Sequence, residues 1–351
     1  MKEMVYHCTG RNTIDEKKHS DYNISGCFFI IGNSFVFPMM KKMLREGCAR
    51  ASSRNKMEKK MSGFNTVTET MNMYMETIPK KTEAKRMVTF GKAIMAGAMI
   101  AIGAAASNVA SHSISNVSVA RMTAGIVFPV GLMMVILLGA ELFTGDCMMI
   151  AGLIPQKLRL LRCIEFLAEV FIGNFIGGFM IAALTYFSGQ FDYSGNLLGA
   201  YTIKVALAKA TIPFSRGVCS GILCNILVCA AVLLAMCAKD VAGKLLSSFF
   251  VIFAFVTSGF EHCVANMYYI SAGLLCKCNP EYVNAAILQY QISPEALEQL
   301  SVKNFLIGNL LPVTIGNILG GAVFLAIPLL LLSNVLPAKN DRKAKTDSEK
   351  Q

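Results

Sequence analysis

GAELFTGD (residues 139–146) and GFEHCVAN (residues 259–266) each interrupt a long apolar segment. Both read Gly-x-Glu followed by small and polar residues. A carboxylate at bilayer depth costs about 2.5–3.5 kcal/mol even on lenient insertion scales. A broken helix there is tolerated only where it is buried in protein or lines a water-filled cavity. Two breaks in matching places of two halves point to a transport site near the bilayer midplane.

The surrounding sequence is 54% hydrophobic, with a mean hydropathy of +0.51. That is too apolar for a soluble chain of this length. An apolar run of about 20 residues is long enough to span a bilayer. Six such spans are expected, near 87–110, 122–155, 163–187, 205–237, 245–275 and 304–335. The second and fifth are longer than one crossing needs, as spans broken inside the membrane would be.

A second string repeats in register. GNFIGG (173–178) lies in span three and GNILGG (316–321) in span six. The order is therefore a broken span, then a Gly-Asn-x-x-Gly-Gly span, twice. Three spans per copy is an odd number, so the second copy must be upside down. The expected fold class is an all-α membrane protein: six transmembrane helices in an aquaporin-like inverted 3+3 repeat, with spans two and five broken. The paired glycines let helices approach closely.

The net charge of +11 does not point to nucleic acid. Residues 1–86 hold 16 Lys/Arg against 9 Asp/Glu. The remaining basic excess sits in alternate loops: Lys157, Arg159 and Arg162 after span two, Lys239 and Lys244 after span four, and Lys339, Arg342, Lys343 and Lys345 after span six. Loop 111–121 offers only Arg121, and loop 276–303 balances Lys277 and Lys303 with Glu281, Glu295 and Glu298. The positive-inside rule puts both termini in the cytoplasm, and the plasma membrane is the expected location. The chain divides into a basic N-terminal extension (1–86), a six-span domain (87–335) and a polar cytoplasmic tail (336–351). The extension is expected to lack fixed structure for most of its length, with 1–60 a candidate for absence from the mature protein.

Twelve cysteines show no zinc spacing and are read as reduced packing residues. Cys219, Cys224 and Cys229 rotate off any common helix face. Glu261, His262 and Cys263 are adjacent, so on a helix they splay apart rather than converge. No metal, cofactor or catalytic site is expected, and the chain is not read as an enzyme.

The breaks carry the remaining chemistry. A half-helix N-terminus favours anions. Phe128, Leu132, Leu142 and Phe143 flank the first break and Phe255 precedes the second, a pattern suited to water-excluding constrictions. His262 is the histidine at membrane depth and can exchange a proton near neutral pH; the alternative is a neutral ring bonded to backbone freed by the break. Glu141 and Glu261 are read as scaffolding, each carboxylate accepting backbone N–H groups at its own break. Thr144 can donate to His262 or to a substrate. Asn225 and Asn317 are helix–helix glue or pore lining. Lys209 is either a lysine snorkelling to the interface or an anion attractor at a vestibule mouth.

GAELFTGD, GILCNILVCAAV (221–232), GFEHCVANMYYI (259–270) and NLLPVTIGNILGG (309–321) together resemble the signature stretches of the formate/nitrite transporter family. The resemblance covers about 87–335. It implies homopentamers with one pore per protomer, passing small monovalent anions or their conjugate acids: formate first, with nitrite, acetate, lactate and hydrosulfide as further candidates. It implies that His262 is the central pore histidine, with Thr144 and Asn225 beside it and Lys209 in the vestibule. It places Phe128, Leu132 and Phe255 at an outer constriction and Leu142, Phe143 and Val228 at an inner one. Residues 1–60 have no counterpart in it.

The expected function is proton-linked weak-acid transport, with the anion, a proton and membrane lipid as partners. A bare carboxylate is too costly to bury in a dry constriction, whereas the neutral acid can cross. The alternatives are an anion channel without proton coupling, gated by pH, and a neutral-solute channel of aquaporin type, although paired Asn-Pro-Ala strings do not occur.

Overall fold

A computed structural model of the protein describes residues 63–156 and 158–333. The expected segment 1–60, the tail 336–351 and Lys157 lie outside the described residues. Within them the chain is helical, with one isolated bridge between Phe64 and Ala238.

The first helix, α1 (Val67–Glu83), lies in the part of the N-terminal extension that follows residue 60. Thr66 and Glu69 form a reciprocal capping box at its start, a cap whose loss costs about 1 kcal/mol. Its inner face buries Met71, Tyr74, Met75 and Ile78. Asn65 ties the entry down, donating from its backbone to Cys237 O (2.7 Å) and from Nδ2 to Met236 O (3.1 Å).

The chain then runs through α2 (Arg86–Ser111), α3 (Val117–Leu138), α4 (Phe143–Leu153), α5 (Leu160–Phe187), α6 (Leu197–Ala210), α7 (Phe214–Cys237), α8 (Val241–Ser258), α9 (Cys263–Lys277), α10 (Pro280–Tyr290), α11 (Pro294–Gln299) and α12 (Asn304–Leu332). Six of these, α2, α3, α5, α7, α8 and α12, are long and apolar enough to cross a membrane. The shortest, α8, has 18 residues, a rise of roughly 27 Å against a hydrocarbon core of about 30 Å.

Two boundaries differ from expectation. Span four does not begin near residue 205. Helix α6 ends at Ala210 and a new helix starts at Phe214. Pro213 lies between them; it lacks an N–H and disfavours helical backbone in the residue before it. Each broken span also divides more narrowly than its motif. Only Gly139–Leu142 and Gly259–His262 are non-helical; the second half of each string already forms the first turn of α4 or α9. Gly139 (φ +64°) and Gly259 (φ +72°) end α3 and α8 in the left-handed conformation that glycine adopts without steric cost.

The element order is thus a short helix, a crossing helix, a broken pair and a crossing helix, twice: α1–α2–α3/α4–α5, then α6–α7–α8/α9–α12. The second copy carries α10 and α11 as an insertion. In both copies the Gly-Asn helix lies hard against the first crossing helix. A Cβ on Gly177 of α5 would stand 2.0 Å from Ile94 O of α2, and one on Gly320 of α12 would stand 2.3 Å from Ile222 O of α7.

Candidate functional site

Each break frees backbone groups, and one asparagine holds them. At the first, Asn174 Oδ1 accepts from Phe143 N–H (2.9 Å), while Nδ2 donates to Ala93 O (2.7 Å) and Glu141 O (3.0 Å). At the second, Asn317 Oδ1 accepts from Cys263 N–H (2.9 Å), while Nδ2 donates to Gly221 O (2.8 Å) and Glu261 O (3.0 Å). The two patterns match bond for bond. An amide suits the task because it presents an acceptor and two donors on one side chain. Asn317 spends its side-chain polar atoms on backbone and is fully buried.

The glutamate carboxylates do not hold the breaks, contrary to expectation. Among the described residues neither accepts a backbone N–H. Glu141 Oε2 instead accepts from Lys81 Nζ (2.6 Å), and Glu261 Oε1 from Lys209 Nζ (3.0 Å). The asparagines already satisfy the loop backbone, which leaves the carboxylates to face ammonium groups. Lys209 does not snorkel outward. Its side chain is 17% exposed and sits 5.2 Å from the Tyr269 ring centre. Asn309 Nδ2 of α12 holds its backbone carbonyl (2.9 Å).

His262 caps α9: its Nδ1 accepts from Ala265 N–H at 3.0 Å. Its Nε2 lies 2.9 Å from Thr144 Oγ1 in the first turn of α4. Because Nδ1 accepts, the ring proton resides on Nε2, and histidine donates to threonine rather than the reverse. Both side chains are buried, at 3% and 0% exposed. Asn225 of α7 backs this pair, donating from Nδ2 to Thr144 O (3.0 Å) and to Asn317 O, with Oδ1 buried and unpartnered.

Two cavities of about 470 Å³ each lie along the breaks; the first is lined by His262, and the second reaches Gly145, next to Thr144. The first is lined by Arg121, Phe128, Lys209, Phe255, Glu261 and His262 among others. Phe128 and Phe255 meet edge to face at 5.6 Å between centres, and Phe255 lies 5.9 Å from the His262 ring. The second is lined by Lys81, Leu132, Leu142, Asp146, Lys239 and Lys244 among others. Three constriction assignments change. Leu132 belongs with Leu142 on the second cavity, because it follows Phe128 by about one helical turn along α3. Phe143 packs edge to face on Phe171 of α5, 5.0 Å between centres, and lines neither cavity. Val228 is buried and likewise lines neither.

Lys81 and Asp146 escaped the sequence reading. Lys81 stands 60 residues before Glu141 as Lys209 stands 52 before Glu261. Mapping Lys209 back onto the first copy would have found it. The role of Asn174 was legible in the same way from its repeated string.

Spanning helices, paired breaks and two cavities on either side of a buried polar pair define a membrane-embedded pathway for a small solute. The formate/nitrite transporter family model matches residues 68–331. The formate channel FocA of Haemophilus influenzae is 32% identical over 75% of this chain and 92% of its own length. The formate-nitrite transporter of Plasmodium falciparum is 30% identical over 72% and 80%. A solved structure described as a pentameric formate channel with formate bound superposes with a TM-score of 0.63 at 27% identity, covering 70% of this chain and 97% of that one. The chain belongs to the formate/nitrite transporter family and is an integral multi-pass membrane protein.

Proposed function

We propose that this chain moves formate, and small monovalent anions like it, across the plasma membrane as a homopentamer, the proton passing through His262. The observation that carries this is the buried His262–Thr144 pair, 2.9 Å across, with one cavity lined by Lys209 and Glu261 on the His262 side and another lined by Lys81 and Asp146 next to the Thr144 turn. The two copies are read as inverted repeats. Both termini are cytoplasmic, so the cavity holding Lys239 and Lys244 faces the cytoplasm and the Lys209 cavity faces out. The pentamer rests on the relative described as pentameric, and lipid surrounds it.

Lys209 Nζ spends one N–H on Glu261 and keeps two for an arriving anion. Beyond it, Phe128 and Phe255 form a water-excluding ring. Taking a carboxylate from water into such surroundings costs several kcal/mol at least, so the anion must be neutralised first. His262 takes a proton at Nδ1 as its bond to Ala265 opens. It then passes the Nε2 proton to the carboxylate and is left neutral with its proton on Nδ1. Exchange with cavity water returns a proton to Nε2 and frees Nδ1 to accept from Ala265 again. Formic acid crosses past Leu132 and Leu142 and ionises in the second cavity. No bond other than O–H and N–H is made or broken, so this is transport and not chemical conversion.

The engagement of Nδ1 as a helix cap favours a second reading, in which His262 only shapes the pore and the anion passes as an ion. Uptake of labelled formate into proteoliposomes, with and without a pH gradient, separates the two. Proton-linked transport predicts electroneutral uptake that collapses with the gradient and loses its pH dependence in His262→Asn. Currents carried by formate itself would favour the channel. Water or glycerol flux without formate flux would favour a neutral-solute pore.

A further inference from the structure

The two breaks differ in chemistry at one position. In the second, Asn266 Nδ2 donates to Glu261 Oε2 (2.6 Å) and to Asn309 Oδ1 (2.8 Å). Seven residues on from the opening glycine, the first break has Asp146 where the second has Asn266. Asp146 is 3% exposed. Its Oδ1 accepts from Lys81 Nζ at 2.6 Å, and its Oδ2 is buried without a hydrogen-bond partner. Lys81 Nζ stands at the same 2.6 Å from Glu141 Oε2. The two carboxyl groups are therefore held within twice that distance by a single ammonium.

The second break balances one ammonium with one carboxylate and one amide. The first sets one ammonium against two carboxyls, one of them with an open oxygen. An ionised aspartate has no donor and cannot make the bond that Asn266 makes to Glu261; a protonated one can. Two adjacent buried carboxylates also resist ionising together. The other titratable or charged groups facing Asp146 are Tyr74 of α1, Cys147 beside it and Cys229 of α7. Lys239 and Lys244 line the same cavity.

We propose that Asp146 and Glu141 bind one exchangeable proton between them at Lys81, forming a second proton site on the pathway, separate from His262. With the proton bound, Lys81 and Glu141 cancel and the mouth matches its Lys209 counterpart. With the proton released, the Lys81 cluster carries one net negative charge, and the cavity, although Lys239 and Lys244 also line it, attracts anions less. The proton site stands on this cluster alone; its effect on flux rests on the anion-transport reading above.

The test is Asp146→Asn in the full chain. Infrared difference spectra of the reconstituted protein, acidic against alkaline buffer, should show a carboxylic-acid C=O band in the wild type that the variant lacks. In proteoliposomes, formate entry from the Lys81 face should fall about tenfold more steeply with rising pH on that face in the wild type than in the variant. A band unchanged by the substitution, or one pH profile shared by both proteins, overturns the proposal. If Asp146→Asn does not fold, Asn266→Asp decides. It should add a carboxyl band and give the Lys209 face a new pH dependence, and neither appearing sinks the idea. Absence of formate flux in every protein at every pH would overturn the transport reading; the infrared bands would still decide the proton site.

Discussion

The Nε2–H of His262 has one acceptor, Thr144 Oγ1, and Nδ1 is fixed by Ala265. The ring is thus held at both nitrogens by different copies of the repeat. Thr144→Val removes the acceptor and leaves a buried donor unpaired, a loss of about 1–3 kcal/mol. Thr144→Ser keeps the hydroxyl. We expect a lower melting temperature and slower formate uptake for valine, with serine close to wild type; equal behaviour of the two would mean that the hydroxyl does not matter. Lys209 makes a parallel case. Lys209→Met loses an anion donor and also strands Glu261, which is 7% exposed. Lys209→Arg keeps the charge. Uptake should fall far more for methionine than for arginine, with a raised KM as the sign of weakened capture.

At the scale of elements, α5 and α12 do the same work. Each carries an asparagine that holds a break and a glycine that admits a neighbouring backbone. A methyl group on Gly320 would meet the Ile222 carbonyl at 2.3 Å, and backbone cannot yield as a flexible side chain can. Overpacking of this kind costs about 1–3 kcal/mol. Gly320→Ala and Gly177→Ala should therefore lower the melting temperature in detergent by similar amounts, one in each copy. If only one does so, the two interfaces are not equivalent. These elements were the most legible part of the sequence, because GNFIGG and GNILGG stand in register behind two Gly-x-Glu strings. The six crossings were legible from hydropathy; Thr144 was expected to donate to His262 or to a substrate, and in the structure the two side chains stand 2.9 Å apart with histidine as the donor. The direction of side chains within the breaks was not legible. Which group meets Glu141 depends on Lys81, in a helix whose amphipathic pattern looks ordinary and whose charge reads like the rest of a basic extension. Phe143 turned away from both cavities for a related reason: a helix turns about 100° per residue, and where α4 restarts after the break sets which side chain faces the path. Spacing in the sequence does not fix that restart.

For the whole molecule, α1 decides how much of the N-terminal region the transporter needs. Its cap at Thr66 and the bonds from Asn65 to Cys237 and Met236 anchor it from residue 65 onward. Its far end delivers Lys81 to two buried carboxyls. Removing residues 1–62 leaves all of these groups in place, so the shortened protein should assemble and take up formate at close to the full-length rate. Removing residues 1–85 takes Lys81 away and leaves Glu141 and Asp146 facing each other without a cation. Breaking a buried pair by deleting one partner costs about 3–5 kcal/mol, and the apolar face of α1 is lost with it. That protein should fail to yield a folded oligomer by size-exclusion chromatography. Loss of assembly on removing 1–62 would assign the extension a structural role. Survival without 1–85 would mean that the second copy, with α6 and Lys209, organises the pathway without its counterpart.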